Sequence, residues 1–84
     1  MNTEGEVLAI LDETLSLQGR ASKFTGGTPL LGSLPEFDSM AVMTVITSIE
    51  ERFDITVEDD ELDAEVFETV GSLTRFVDAK LAEA

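Results

Sequence analysis

Three stretches of this chain repeat apolar residues every three or four positions, which confines them to helices with one buried side. The first holds Val7, Leu8, Leu11 and Leu15, with Ile10 beside them. The second holds Met43, Ile46, Ile49 and Phe53, joined by Val42 and Val45. The third holds Val70, Leu73, Phe76 or Val77, and Leu81. Between the first two stretches fall Gly19, Gly26, Gly27, Pro29, Gly32 and Pro35, so no long regular element fits there. Leu30, Leu31 and Leu34 are apolar enough to pin that connection to a core. The expected fold is all-α, a four-helix bundle of three main helices and a short third helix. A long loop joins helices one and two, and one domain spans residues 1–84.

The helix ends carry their own signals. Thr3 is placed to cap the first helix, with Glu4 and Glu6 in the turn where the dipole favours negative charge, and Gly19 is placed to stop it. Asp38 stands as N-cap of a second helix running from Ser39 to Phe53. Ile55 and Val57 alternate with Thr56 and are expected to anchor a loop rather than form a lone strand. The dense acidic stretch Glu58-Asp59-Asp60-Glu61 continues through Asp63, Glu65 and Glu68. Val66 and Phe67 interrupt it and would plug the short third helix into the bundle. Thr69 reads as the cap of the last helix, and Lys80 suits its negative C-terminal end.

Charge then narrows the function. Eighteen acidic residues against five basic ones give a formal net charge of −13 over 84 residues. That field repels phosphate backbones and anionic membrane surfaces, so nucleic-acid binding and membrane insertion are not expected. A partner with a basic patch would be drawn in instead, although an acidic surface also serves plain solubility. No apolar run reaches the roughly 18 residues that a membrane span needs, and Met1-Asn2-Thr3-Glu4 is no basic leader, so a cytoplasmic location is expected.

The inventory of reactive groups is short. The chain has no His, Cys, Tyr or Trp. Disulfides, thiolate chemistry, cysteine zinc sites and the usual nucleophile–base pairs are therefore absent, and no catalytic residue is assigned. The stretch from Asp54 to Glu65 lacks the glycine of a calcium-binding EF-hand loop, and Ile55 and Val57 break its start. Glu58–Glu61 could attract divalent ions only weakly, and no metal site is assigned. What remains is Ser39. It follows a long loop, so its hydroxyl should face solvent within reach of another enzyme. It also opens a helix, whose unpaired N–H groups and dipole favour an attached phosphate. A serine without a histidine is a poor nucleophile for its own catalysis but a good acceptor. Taken alone, Asp38 and Ser39 before an apolar run would be read as an ordinary helix cap.

The stretch Leu34-Pro35-Glu36-Phe37-Asp38-Ser39-Met40 and the later Ile49-Glu50-Glu51-Arg52-Phe53 resemble the signature of the acyl carrier protein family. In that signature Asp-Ser-Leu or Asp-Ser-Met opens the second helix. Phe67-Glu68-Thr69-Val70-Gly71-Ser72-Leu73 resembles the family's entry into its last helix. The resemblance implies that Ser39 accepts phosphopantetheine from coenzyme A through a phosphopantetheinyl transferase, with Asp38 helping to recruit that enzyme and its magnesium. Acyl groups would ride on the arm as thioesters, delivered to synthase, ligase, condensing or acyl-transferring partners, and the chain, a monomer, would catalyse nothing. Met43, Ile46, Ile49 and Phe53, with Leu73 and Phe76, would line a cleft for the acyl chain, or be simply core. Partners would dock on Glu36, Met40, Ala41, Thr44, Glu50 and Glu51.

The sequence also departs from the family pattern. Ala41 and Thr44 stand where fatty-acid carriers place carboxylates, and Arg52 where a carboxylate is common. A specialised synthase or ligase in lipid or exopolysaccharide metabolism is the expected partner. Two alternatives share the same residues: an unmodified acidic helical interaction module, and a peptidyl carrier.

Overall fold

A computed structural model describes residues 3–31 and 37–83. Three α-helices form where the apolar stripes lie: α1 (Thr3–Leu15), α2 (Ser39–Phe53) and α3 (Val70–Glu83). Each turns most of its stripe inward, with Met43 of α2 left exposed, and α1 packs against both of the others. Val7, Ile10 and Leu11 of α1 meet Val45 and Ile49 of α2 and Val70, Leu73 and Val77 of α3 in one core. Val77 takes the buried position of the last stripe and Phe76 is only half-buried. Leu17, Leu30, Phe37 and Phe67 complete that core from the connections. Burying a side chain such as Leu30 contributes on the order of 2 kcal/mol, which helps to hold a connection that has no α-helix among its described residues.

Both ends of α1 depart from expectation. Thr3 lies inside α1 rather than before it. The helix stops without a glycine: Ser16 adopts a left-handed conformation (φ 54°) and the Leu17 N–H donates to the Asp12 carbonyl at 3.0 Å. That bond satisfies a last-turn carbonyl and swings Leu17 into the core. Gly19, with φ 89°, instead opens a 3₁₀ turn at Arg20–Lys23, which the Asp12 carboxylate caps by accepting from the Gly19 and Ala21 amides. The same device ends α2, where Asp54 (φ 54°) is left-handed and the Ile55 N–H reaches the Glu50 carbonyl at 3.1 Å.

The short extra helix is a 3₁₀ turn at Asp59–Glu61, earlier than the position expected at Val66 and Phe67. Those two residues lie in tight turns, their N–H groups donating to Asp63 and Ala64, with Phe67 buried. An acidic run with so few apolar positions cannot sustain a longer helix against its own repulsion.

The long connection is stitched to the entry of α3. Leu30 and Leu31 N–H groups donate to the carbonyls of Glu68 and Phe67, and Val70 N–H donates to Thr28, around an antiparallel bridge between Pro29 and Thr69. Thr69 caps α3 as expected, exchanging hydrogen bonds with Ser72. At the end of the stitch the Gly71 N–H donates to the Gly26 carbonyl at 2.7 Å. A Cβ on Gly71 would lie 2.7 Å from that same oxygen, closer than any side chain tolerates. Leu34 and Glu36 fall outside the described residues.

Two basic side chains tie acidic segments together. Arg52 joins the end of α2 to Glu6 and, at 3.6 Å, to Glu13 of α1. Lys80 of α3 grips both oxygens of Glu61 at 2.8 and 2.9 Å. That grip, together with the Glu58 N–H, holds the Glu61 carboxyl below its ordinary value of 4.5. Its partner Lys80 is held above 10.5 chiefly by the same hydrogen bonds.

Two outcomes follow. Gly71→Ala should destabilise by about 1–3 kcal/mol in denaturant unfolding, because the new methyl meets a backbone carbonyl that cannot move without breaking the stitch. Gly26→Ala, whose Cβ would find nothing nearer than 3.5 Å, should stay within about 1 kcal/mol of wild type. The stability gap between wild type and Glu61→Gln should be constant near neutral pH. It should close as pH falls below 4.5 through the lowered Glu61 value, and again as pH rises past 10.5 through the raised Lys80 value.

Candidate functional site

Asp38 makes the site by starting α2. Its backbone is extended, and one carboxylate oxygen accepts the Ala41 N–H at 2.9 Å while its carbonyl accepts the Val42 N–H at 3.0 Å. Such a cap stabilises a helix start by about 1 kcal/mol and fixes where the first turn begins. Ser39 is therefore the first helical residue, and it is exposed. Just before the cap, Phe37 is buried with its ring centroid 5.8 Å from that of Phe67 at a tilt of 50°. A tilted aromatic pair of this kind contributes about 1 kcal/mol beyond burial.

A groove of about 470 Å³ opens beside Ser39. Val42 and Met43 of α2 form one side, Leu62, Asp63 and Ala64 the other, with Phe67 and Leu31 also lining it. Leu31, Met40 and Met43 are the large apolar side chains left exposed among the described residues, and two of them line this groove. A larger hollow of about 660 Å³ runs along α1 past Leu8, Asp12, Ser22 and Arg52. Its Asp12 and Glu13 carboxylates are already engaged by backbone amides and by Arg52.

The expected site residues are distributed unevenly. Of the six cleft residues, Met43 borders the groove. Ile46, Ile49 and Leu73 are buried in the core, and Phe53 and Phe76 are half-buried outside the groove's lining. Among the docking residues, Met40 is 80% exposed. Thr44 is exposed too, its hydroxyl donating to the Met40 carbonyl at 3.1 Å. Ala41 is half-buried against the core, and Glu51 is exposed. Glu50 is half-buried, and its carboxylate accepts the Val57 N–H at 2.8 Å, so it holds the following loop. Glu36 lies outside the described residues. Among the described residues no three carboxylates gather as a cation site would require. No helix among them is long and apolar enough to cross a membrane.

Leu31, Leu62 and Phe67 complete the groove without having been assigned to it from sequence. One signal was available. Leu30 and Leu31 are adjacent just after the bridged Pro29, and adjacent side chains there do not share one face. With Leu30 fully buried, Leu31 must look outward.

Comparison with known proteins agrees with this geometry. A family model described as a phosphopantetheine attachment site matches residues 33–77. A curated relative, an acyl carrier protein of an Exiguobacterium species, is 43% identical over 44 residues, covering 52% of this chain and 53% of the relative. The match thus spans about half of that relative's length. A solution NMR structure of a holo acyl carrier protein from Nitrosomonas europaea superimposes with a TM-score of 0.90 at 49% identity, over 98% of this chain and 99% of the other. A likeness of that extent in sequence and fold together, with the family model running across the start of α2, makes this chain a member of the acyl carrier protein family, whose members bear covalent phosphopantetheine and are carriers rather than catalysts.

Proposed function

We propose that Ser39 is the phosphopantetheine attachment point and that the chain carries acyl groups as thioesters on the thiol of that arm. The Ser39 oxygen would form the new phosphodiester with the pantetheine phosphate of coenzyme A, releasing the adenosine bisphosphate, while a transferase takes up the serine proton. The observation that carries this reading is an exposed serine hydroxyl in the first turn of a capped helix, next to the groove. The helix start offers unpaired amides and a favourable dipole to the phosphate. Asp38 uses one oxygen for the cap, and the other has no partner among the described residues, which suits it to meet a transferase's magnesium.

The arm supplies the thiol chemistry that a chain without cysteine lacks. The groove lined by Val42, Met43, Leu62 and Phe67 would shelter the first carbons of an acyl chain, and Met43 can repack around them at small cost. The core residues Ile46, Ile49 and Leu73 would meet the cargo only if the helices parted. Partners with basic patches would be steered by the net charge of −13 and would seat on Met40, Ala41, Thr44 and Glu51. Because the early exposed face of α2 carries Met40 and Thr44 rather than carboxylates, with Ala41 half-buried between them, a synthase or ligase of a specialised pathway suits it better than bulk fatty-acid synthesis. The chain works as a monomer in the cytoplasm.

Incubation with coenzyme A and a promiscuous transferase should add one phosphopantetheine to wild type, read by intact mass. Ser39→Ala should add none while unfolding within about 0.5 kcal/mol of wild type, since an exposed side chain is removed. An unmodified wild type, beside a control carrier that is modified, would contradict the reading and leave an acidic interaction module in its place.

A further inference from the structure

The wall of the groove opposite α2 is the most acidic part of the chain. Glu58, Asp60, Glu61, Asp63 and Glu65 follow one another within it, and Leu62, Asp63 and Ala64 line the groove. Its own hydrogen bonds are local. Glu61 N–H donates to the Glu58 carbonyl, Glu58 N–H to the Glu61 carboxylate, and Val66 N–H to Asp63. The segment is tied to the rest of the fold at its two ends. Val57 N–H donates to Glu50 at one end, and the Val66 carbonyl accepts from the Ser72 hydroxyl at the other. Between those ends, the polar link to another element among the described residues is Lys80 of α3, donating to both oxygens of Glu61.

That lysine is no loose surface charge. Its side chain is 13% exposed and that of Glu61 29%, so both are held where they meet. Leu62, the next residue, packs half-buried on the core and faces the groove. The carboxylates around it repel one another, and without a central cation the segment would relieve that repulsion by moving outward.

We propose that the Lys80–Glu61 pair is a positioning clamp that holds the acidic wall against α2 and thereby sets how closely an acyl chain on Ser39 is sheltered. The proposal rests on the reading of Ser39 as the attachment point. Lys80 and Glu61 touch neither arm nor cargo; they act through Leu62.

The test has one arm that needs no cofactor. Amide hydrogen exchange on the unmodified chain compares wild type with Lys80→Met and Glu61→Gln. Exchange at the Val66 and Phe67 amides should rise about two- to fivefold in both variants, the range for losing a partly exposed pair, while the buried middle of α1 changes less. The second arm loads the phosphopantetheinylated proteins with acetyl or octanoyl groups and measures release by hydroxylamine. Octanoyl release should quicken in both variants by a similar factor, and acetyl release, too short to reach the groove, should not. Exchange unchanged at Val66 and Phe67, or raised equally throughout the chain, would overturn the clamp. If wild type instead releases octanoyl as fast as acetyl, or accepts no arm at all, the sheltering or attachment reading fails, and the exchange arm alone decides whether the clamp exists.

Discussion

The stitch between the long connection and the entry of α3 is the constraint on which the rest of the structure depends. Leu30 and Leu31 pair through their backbones with Glu68 and Phe67, and Gly26 pairs with Gly71. Because this fixes Phe67, it fixes the ring against which Phe37 packs, and Phe37 immediately precedes the cap of α2. Among its described residues the connection has only the 3₁₀ turn at Arg20–Lys23, so backbone pairing and the buried Leu17, Ala21, Leu30 and Phe37 order it. Without the stitch, Ser39 would still open a helix, but the groove would lose Leu31 and the fixed position of Phe67 together.

A second constraint is charge. With five basic residues for eighteen acidic ones, each cation has an outsized structural effect. Arg52 binds α2 to α1 through Glu6 and Glu13, and Lys80 binds the acidic segment to α3. The first ties two helices and the second ties a helix to a connection, while most carboxylates still face water. The unneutralised remainder is what a basic partner would meet, so one composition both strains the fold and advertises it.

Much of this was legible in the residues. Asp38, Ser39 and the stripe that follows them predict the limits of α2, because a cap and a helical period reinforce each other. Thr69 and the stripe to Leu81 do the same for α3. The end of α1 was not legible, since Ser16 takes a left-handed turn that glycine would ordinarily signal. Nor was the place of the short helix, which forms at Asp59–Glu61 where the Glu61 carboxylate accepts from the Glu58 N–H and from Lys80, a partner far away in sequence. The groove escaped for a different reason. Periodicity marks which side chains leave the surface of one helix, whereas Leu31, Leu62 and Phe67 come from loops whose meeting depends on long-range pairing. Arg52 stood out in sequence as a departure, but its partners on α1 become visible only when the two helices pack.

All of these features bear on the proposal that the exposed Ser39 hydroxyl is an acceptor rather than a catalyst. Fragmentation of the modified chain in a mass spectrometer, with the phosphodiester located residue by residue, tests that claim most directly. The whole of the adduct should lie on the peptide fragment that contains Ser39. Adduct found on Ser22, Ser48 or Ser72 while Ser39 stays bare would contradict it.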